Sequence, residues 1–333
     1  MINDARVLQQ EFIPREVEHR NQEVNTLSNA LRPIMDGQPG ETSLLFGPSG
    51  AGKTCIAKYT TEQLRENVLD INTQYVNCWQ DYTRFQVLYR LLEGIDRTVD
   101  IHRRSTPKDE LLDRLRDYDG PQYVVILDEA DQLEDKRVLY DLYRTRGITM
   151  VLIANREAEL FNQLDDRLTS RLYSSVRVSF EKYHLTQLVS ILAARARWGL
   201  SEDAIGTEQL QLIADAAAGD ARVAIGILRN AARRADQEDA TTISTAMVRE
   251  AVPDGRREVR QKTIEQLHHH QRTLYEILEE QGELHPGELY DAYAEAVDSP
   301  KTKRTVRNYL SKMDQYGLVA AEGENRARTY RVK

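Results

Sequence analysis

The chain has 333 residues, of which 41% are hydrophobic and 29% charged, and its formal net charge is -8. This composition is ordinary for a soluble globular protein with room for two or three domains, and the negative charge disfavours indiscriminate binding of polyanions by the whole surface. No apolar run approaches the roughly 20 residues of a membrane-spanning helix, and the first residues lack the order of a signal peptide. Cys55 and Cys78 form neither a disulfide framework nor a metal-ligand spacing. We therefore expect a cytoplasmic protein with no membrane contact and no structural zinc.

Between residues 40 and 180, short apolar runs alternate with amphipathic helical patterns. The runs are SLLF (43–46), QYVNC (74–78), YVVILD (123–128), TMVLIAN (149–155) and SVRV (175–178). Several of them are apolar on successive residues, which is typical of strands buried on both faces of a parallel sheet. Because helical stretches separate the strands, the pattern indicates βαβ units. The sequence predicts an α/β domain over residues 1–180, with a parallel sheet and helices on both faces.

The first apolar run leads directly into a glycine-rich loop. GPSGAGKT fits the P-loop pattern G-x-x-x-x-G-K-[ST], with a predicted strand before it and a predicted helix after it. Glycines let backbone N–H groups surround an anion, and the following helix directs its positive dipole end at phosphates. A chance match by a glycine-rich turn is the alternative, and both flanking elements argue against it. The predicted contacts to the nucleotide are Gly47, Pro48, Ser49, Gly50, Ala51, Gly52, Lys53, Thr54 and Cys55.

Within this loop, two side chains have distinct predicted roles. Lys53 reaches the β- and γ-phosphates, and the hydroxyl of Thr54 is a ligand of Mg²⁺. Two other strands end in polar residues that suit the same chemistry. Asp128 is placed for Mg²⁺ coordination and Glu129 for activating a water, while Asn155 could hold that water near the γ-phosphate. Taken alone, each of these residues could simply cap or turn the chain.

Three arginines are further candidates. Arg167 and Arg171 lie four residues apart on a predicted short helix, where we expect both to be exposed to a neighbour. Arg222 follows Asp220, a predicted helix N-cap, in the sequence GDAR. An arginine in the first turn of a helix opposes the helix dipole, so we expect a compensating anion there, such as a γ-phosphate.

After residue 180 the pattern is helical and rich in alanine, which predicts a small helical bundle over 181–255. The segment PDGRREVRQK (253–262) reads as a polar linker, because it is dense in charge and contains Pro and Gly. The remaining residues, 256–333, predict three helices followed by a hairpin. The run His268, His269, His270 at the start is interpreted as solvated helix surface and not as a metal site, since consecutive helical residues point in different directions.

The third C-terminal helix, PKTKRTVRNYLSKMDQYG, has an apolar face and a cationic face. Residues 299–333 contain nine Lys or Arg against three Asp or Glu. This layout is typical of a winged helix-turn-helix that binds duplex DNA, and Arg and Asn can read base edges. A winged helix used for protein contact is the alternative. The predicted DNA contacts are Lys301, Lys303, Arg304, Arg307, Asn308, Arg326 and Arg328, with Arg331 also on the hairpin.

Taken in order, these motifs resemble those of an AAA+ ATPase, and more narrowly of the archaeal origin-recognition initiators related to eukaryotic Orc and Cdc proteins. The resemblance spans nearly the whole chain, from FIPREVEHRNQEV, which in that family lies against the adenine, to the final hairpin. It implies that Asn155 is the first sensor, Arg222 the second sensor in a helical lid, and Arg171 the arginine finger, with Arg167 as the second choice. It also implies a DNA-contacting insertion within residues 81–107.

The sequence therefore predicts an ATP-dependent replication initiator that binds ATP or ADP with Mg²⁺ and hydrolyses ATP slowly, as a switch. The implied partners are duplex DNA at origin-like sites, other initiator copies and a replicative helicase, in a nucleoid-associated setting. An ATP-gated winged-helix regulator of transcription or plasmid maintenance carries the same motifs. A protein-remodelling ATPase whose last domain binds a partner is a third alternative, and it predicts no DNA affinity at low salt.

Overall fold

The computed structural model describes residues 1–102, 106–161, 164–323 and 327–333, so the predicted DNA contact Arg326 lies outside the described residues. The chain divides into two compact units, Met1–Gly255 and Arg256–Lys333. The first unit contains a five-stranded parallel sheet in the order β2-β3-β4-β1-β5. All five predicted runs form strands. They are β1 (Ser43–Phe46), β2 (Ile71–Asn77), β3 (Gln122–Asp128), β4 (Ile148–Ala154) and β5 (Val176–Ser179).

Helices cover both faces of this sheet, which confirms the predicted α/β architecture. They are α1 (Asn21–Leu31), α2 (Lys53–Asn67), α3 (Arg84–Glu93), α4 (Lys108–Arg116), α5 (Arg137–Arg144), α6 (Glu157–Phe161) and α7 (Asp166–Tyr173). Successive residues of a strand point to opposite faces. Leu44 accordingly packs in the core with α3, α4 and α5, while Leu45 packs in the core with α1 and α2. This two-sided burial explains why the strands are apolar on successive residues.

Four helices follow the sheet. They are α8 (Leu185–Gly199), α9 (Thr207–Ala217), α10 (Ala221–Gln237) and α11 (Thr245–Gln266). Their shared core is rich in leucine, isoleucine and alanine, and it also contains Leu8 from the start of the chain. Ile2 forms a β-bridge with Leu200 in the same region. The N-terminal residues therefore pack with the helical bundle, whereas the predicted division into 1–180 and 181–255 stays a prediction.

The division between the two units falls within the predicted linker, residues 253–262, but the expected break in the helical pattern is wrong, because these residues lie inside α11. Gly255 is needed for close helix packing and not for a break, since a Cβ there would lie 2.7 Å from the backbone nitrogen of Ile227 on α10. The charged residues of the segment are not all solvated either, because Asp254 forms an ion pair with Arg234 at 2.6 Å. Pro253 is accommodated within the helix.

Besides the last residues of α11, the second unit contains three helices and an antiparallel hairpin. They are α12 (His269–Gln281), α13 (Pro286–Ala296), α14 (Lys303–Gln315) and the strands β6 (Val319–Glu322) and β7 (Thr329–Val332). Leu284 pairs with Tyr330 as an isolated bridge beside the hairpin. One face of α14 is buried, as its spacing predicts. The buried residues of this face are Val306, Tyr309, Leu310 and Met313.

The three adjacent histidines do not all lie on a solvated surface, so that prediction is wrong for His268. His268 precedes α12 as its N-cap residue and is buried, with its ring 4.7 Å from the ring of Tyr309 on α14. His270 is hydrogen-bonded to the hydroxyl of Tyr293 at 2.8 Å, and only His269 is exposed. Within the described ranges, no group of three or more His, Cys, Asp or Glu residues could hold a metal ion, and no helix is both long and apolar enough to cross a membrane.

Burial lowers the pKa of His268 to about 3, with smaller contributions from the neighbouring His270 and Lys301. The unfolded chain takes up a proton near pH 6.5 that the folded chain excludes until about pH 3. The stability contribution is therefore complete above pH 6.5 and is lost as the pH falls. We expect His268→Phe, which keeps a ring against Tyr309, to reduce the loss of stability between pH 7 and pH 5 by about 2 kcal/mol.

Urea unfolding at both pH values, followed by the NMR resonances of α12 and α14, measures this difference. His269→Gln, an exposed neighbour, is the matched control and should leave the pH dependence unchanged. If stability depends on pH in His268→Phe as it does in the wild-type chain, the proposed contribution of the lowered His268 pKa is contradicted.

Candidate active site

The carboxyl ends of three strands meet at one edge of the sheet. Phe46 at the end of β1 is in register with Ala154 at the end of β4, and Leu127 of β3 is in register with Leu152 of β4. Asp128, the last residue of β3, and Asn155, the residue after β4, therefore lie at the same edge. In open α/β sheets this edge is where ligands bind.

The loop after β1 needs glycine at defined positions. Gly50 has φ 76° and Gly52 has φ 95°, a region of backbone conformation that side chains with a Cβ rarely adopt. A Cβ at Gly50 would also lie 2.1 Å from Oδ1 of Asp220, and one at Gly52 would lie 2.5 Å from the hydroxyl of Tyr183. Helix α2 begins directly afterwards, at Lys53. The loop is therefore both turned by its glycines and closely covered by the chain after β5.

The ammonium group of Lys53 is held by three oxygen atoms. Its Nζ donates to the carbonyl oxygens of Gly47 at 2.6 Å and Pro48 at 2.9 Å, and to Oδ1 of Asn155 at 3.1 Å. Lys53 is buried, and a buried charge requires such partners. The structure thus brings Lys53 and Asn155 together, although 102 residues separate them in the sequence.

The carboxylate of Asp128 is also held from several sides. Its Oδ2 accepts hydrogen bonds from the hydroxyl of Thr54 at 2.6 Å and from the hydroxyl of Tyr75 at 3.0 Å, and its Oδ1 accepts one from the backbone N–H of Glu129 at 3.0 Å. Burial, together with the charge of Glu129, raises the pKa of the Asp128 carboxyl, while the hydrogen bonds from Thr54 and Tyr75 act in the opposite direction. Burial and the nearby Asp128 charge raise the pKa of Tyr75, so its hydroxyl keeps its proton and donates.

The chemistry of this pair fits a magnesium ion. Thr54 Oγ1 and Asp128 Oδ2 are hard oxygen donors 2.6 Å apart, and Mg²⁺ binds one or two protein oxygens together with waters and phosphate oxygens.

Glu129 has a backbone conformation that is uncommon for a residue with a side chain. Its φ is 56° and its ψ is 41°, in the left-handed region. The cause is local, because β3 ends at Asp128 and a short 3₁₀ turn begins at Ala130. Such conformations cost about 1–3 kcal/mol and concentrate at functional sites. Glu129 is half-buried beside Asp128.

The helical bundle contacts the glycine-rich loop through the first residues of α10. Asp220 caps this helix, as predicted, and accepts from the backbone N–H of Arg222 at 2.8 Å. The N–H of Ala221 donates to the carbonyl oxygen of Gly50 at 3.2 Å. The guanidinium of Arg222 lies 2.9 Å from Oδ2 of Asp220. The anion that the sequence led us to expect near Arg222 is therefore supplied by the carboxylate of its own helix cap.

Three other predicted residues of the loop, Ser49, Ala51 and Cys55, differ in their burial. Ser49 is half-buried, and Ala51 is buried in the core with α1 and α2. Cys55 is half-buried on α2, and burial raises the pKa of its thiol.

Comparisons with known proteins concern the α/β domain, the helices that follow it and the chain as a whole. Residues 39–161 match the family model of an AAA domain, and residues 189–252 match that of a Cdc6 AAA+ ATPase-type lid domain. ORC1-type DNA replication protein 9 of Halobacterium salinarum is 54% identical over 330 residues, which cover 99% of this chain and 93% of that protein. ORC1-type DNA replication protein 1 of the same organism is 56% identical over 308 residues, which cover 92% and 100%. The chain belongs to the family of ORC1-type DNA replication proteins.

A solved structure gives the same result at the level of the fold. The Aeropyrum pernix ORC1 protein in complex with DNA is 26% identical with a TM-score of 0.75, over 99% of this chain and 93% of that one. The resemblance to archaeal origin-recognition proteins is thereby confirmed. Membership of the AAA+ ATPases supports nucleotide binding and ATPase activity in general. These relatives do not favour the alternative of a transcriptional or plasmid-maintenance regulator.

In this ORC1-type chain, two arginines that sequence reasoning missed hold the N-terminal residues against the chain that follows β5. Arg20 donates to the carbonyl oxygen of Glu181 at 2.6 Å and lies over the ring of Tyr183 at 4.2 Å. Arg195 on α8 is buried and donates to the carbonyl oxygens of Gln9 at 3.1 Å and Phe12 at 2.9 Å. Their partners are distant along the chain, so no local pattern identifies them.

The two candidate finger arginines of the ORC1-type chain have different surroundings. Arg167 is exposed, as predicted, but Arg171 is half-buried, so the prediction that both are exposed is wrong. The guanidinium of Arg171 lies 5.0 Å from the ring centre of Tyr140 and 5.7 Å from that of Tyr143, both on α5. A cation is attracted to the face of an aromatic ring, and this attraction holds Arg171 against its own chain.

On α14, the polar face opposite the buried one is exposed. Arg304, Arg307 and Asn308 are exposed on the helix. Lys303 is exposed with its Nζ 4.9 Å from the ring centre of Tyr290, and Lys301 is half-buried. Arg328 on the segment before β7 is exposed, whereas Arg331 pairs with Glu322 at 2.7 Å within the hairpin.

Proposed function

We propose that the chain is an ATP-dependent, DNA-binding replication initiator of the origin-recognition and helicase-loading type, in which ATP binding and hydrolysis switch the DNA-bound state. The observation that carries this proposal is the group of four polar side chains at the sheet edge, where Lys53 meets Asn155 and Thr54 meets Asp128. The proposal is also supported by the chain's membership of a family of DNA replication proteins.

In this proposal ATP lies between the glycine-rich loop and the lid. The ammonium of Lys53 leaves the loop carbonyls and binds the β- and γ-phosphates, while Asn155 orients the attacking water. Glu129 accepts the proton of that water. The N–H groups of the loop and the first turn of α2 supply further donors to the phosphates.

Thr54 and Asp128 would hold the Mg²⁺ ion of the nucleotide. When bound, Mg²⁺ neutralises the charge that develops on the phosphate oxygens. Asp128 is kept in place for this role by the N–H of Glu129 and by two hydroxyl groups.

Arg222 is the proposed link between the nucleotide and the lid. It is paired with Asp220, whose carboxylate lies against Gly50 of the loop. A γ-phosphate competes with Asp220 for this guanidinium, so ATP and ADP favour different positions of α10. Slow hydrolysis then acts as a timer of the DNA-bound state.

Other copies of the initiator are proposed partners through Arg171. As the arginine finger it would leave Tyr140 and Tyr143 and approach the nucleotide of a neighbouring copy, with Arg167 as the second choice. A replicative helicase is a further proposed partner, in a nucleoid-associated setting.

Residues 256–333 are proposed to form a winged helix that binds duplex DNA. Three helices followed by an antiparallel hairpin match this layout, with α14 as the recognition helix in the major groove. The proposed contacts are Lys301, Lys303, Arg304, Arg307, Asn308 and Arg328. The solved relative in complex with DNA supports this proposal. The insertion within residues 81–107 is the second proposed DNA contact. Its Arg84 and Arg90 pair with Asp141 and Asp81, and its residues 103–105 lie outside the described residues.

The experiment that tests DNA binding measures the affinity for duplex DNA by fluorescence anisotropy at several salt concentrations, with and without ATP and Mg²⁺. We expect tighter binding with ATP. We expect Arg304→Ala/Arg307→Ala to weaken binding about 10- to 100-fold at low salt. The slope of log affinity against log salt should fall by about 2, since each lost phosphate contact removes about one counterion.

Arg233→Ala/Arg249→Ala is the matched control, because it removes the same charge from exposed helical positions of the first unit. Equal losses in the two double variants would indicate an effect of net charge alone. Absence of DNA affinity at low salt in the wild-type chain would instead favour a protein-remodelling ATPase.

A further inference from the structure

Tyr75 contacts the acidic residue of the site from the neighbouring strand. It lies on β2, in register with Ile126 of β3, and its hydroxyl donates to Oδ2 of Asp128 at 3.0 Å. The two residues are 53 positions apart in the sequence. Tyr75 therefore touches the carboxylate that would face the metal ion.

The hydrogen bonds of Asp128 differ in how they respond to a bound cation. Oδ2 accepts from both Thr54 and Tyr75, at 2.6 Å and 3.0 Å. Thr54 would itself become a ligand, so its hydroxyl has to turn from Asp128 towards the ion. Tyr75 would not become a ligand of the ion, so its hydroxyl does not have to turn away from Asp128. Its hydrogen bond is therefore the side-chain contact that can hold the same carboxylate orientation before and after nucleotide binding.

Tyr75 is itself held in place from two directions. The strand pairing of β2 with β3 fixes its backbone, and the ammonium of Lys58 lies 3.7 Å from the centre of its ring. Lys58 is one helical turn after Thr54 on α2, so the ring is fixed by the same helix that carries the proposed metal ligand. A cation on the face of a phenol ring also attracts it electrostatically.

We propose that Tyr75 is a positioning residue for Asp128, and that its hydroxyl orients this carboxylate for the divalent cation of the bound nucleotide. The proposal rests on the nucleotide site proposed above. Partners that orient metal-ligating side chains contribute about 10- to 100-fold to metal affinity in other proteins. The expected signature is a loss that depends on Mg²⁺ and not on the nucleotide alone.

The test compares Tyr75→Phe with the wild-type chain by titration calorimetry. ATP affinity is measured with EDTA and at increasing Mg²⁺, and the Mg²⁺ concentration for half-maximal hydrolysis is measured in parallel. We expect Tyr75→Phe to need about 10-fold more Mg²⁺ in both measurements. Its ATP affinity in EDTA should stay within about twofold of the wild-type value.

Tyr123→Phe is the matched control. Tyr123 is buried on β3 and its hydroxyl donates to the carbonyl oxygen of Leu91 at 2.7 Å, so this variant also loses one buried hydrogen bond. It should leave the Mg²⁺ requirement unchanged. Lys58→Gln keeps the hydroxyl of Tyr75 but removes the cation from its ring. It also removes a positive charge near Asp128, which by itself would lower the Mg²⁺ requirement. A rise of about two- to threefold in this variant therefore supports the proposal if Tyr75→Phe does not fold, and an unchanged or lower requirement overturns it.

Equal Mg²⁺ requirements in Tyr75→Phe and Tyr123→Phe would overturn the proposal, as would an equal loss of ATP affinity with and without Mg²⁺. A wild-type chain that binds no ATP in either condition would contradict the nucleotide site itself. This failure of the nucleotide site differs from a failure of the Tyr75 proposal, because it is seen in the wild-type chain before any variant is measured.

Discussion

Glu129→Gln is expected to reduce ATP hydrolysis at least 100-fold while changing ATP affinity by no more than about threefold. General base catalysis contributes about 10²- to 10⁴-fold, and an amide cannot accept the proton of the attacking water. The nucleotide contacts assigned to Lys53, Thr54 and Asp128 remain in this variant. Single-turnover hydrolysis and calorimetric ATP titration measure the two quantities separately.

Glu41→Gln provides the control for this change. Glu41 is exposed just before β1, at the opposite edge of the same sheet, so the variant makes the same chemical change away from the site. It should hydrolyse ATP at the wild-type rate. Retention of more than a tenth of the wild-type rate by Glu129→Gln would remove Glu129 from the proposed mechanism.

Lys53→Ala is expected to weaken ATP binding at least 100-fold and so to abolish hydrolysis at ordinary ATP concentrations. The ammonium is buried at the turn of the loop with three oxygen partners, and in the proposed complex it exchanges the loop carbonyls for phosphate oxygens. Hydrogen bonds from a charged donor contribute about 1.5–3 kcal/mol each, and a 100-fold loss corresponds to about 2.7 kcal/mol. Calorimetry with Mg²⁺ present measures the affinity.

Lys108→Ala is the control for Lys53→Ala. It removes an exposed lysine at the start of α4, and it should bind ATP like the wild-type chain. Thermal unfolding of both variants shows whether the fold is kept. Wild-type ATP affinity in a folded Lys53→Ala variant would contradict the assignment of the glycine-rich loop as the phosphate site.

The strands and the glycine-rich loop were predictable because their signals are local. Five short apolar runs correspond to the five strands, and the loop lies between β1 and α2 as its pattern requires. Asp128 and Asn155 are predictable because each is a polar residue at the carboxyl end of a buried strand. The parallel order of the sheet then brings them to one edge.

Predictions from the sequence are wrong at two places where tertiary packing overrides local composition. Pro, Gly and many charges predict a linker over residues 253–262, but Gly255 allows close contact with Ile227 and the segment is helical. The run of histidines predicts a solvated His268, yet Tyr309 covers this residue. Neither contact has a signal in the adjacent sequence.

The contributions of Tyr75 and Arg195 were not predictable for a related reason. Tyr75 reaches Asp128 only because β2 is the neighbour of β3, and strand order does not follow from the strand pattern. Arg195 binds backbone carbonyl groups about 185 residues earlier in the chain, and carbonyl groups leave no trace in the sequence.

We propose that ATP controls a DNA-bound state of this chain at sites where replication begins. Genome-wide mapping of the DNA bound by the wild-type chain in cells, alongside the map of replication start sites, is the decisive measurement. We expect bound sites that coincide with replication start sites and that are lost in Lys53→Ala. Binding confined to promoters, and unchanged in Lys53→Ala, would contradict it.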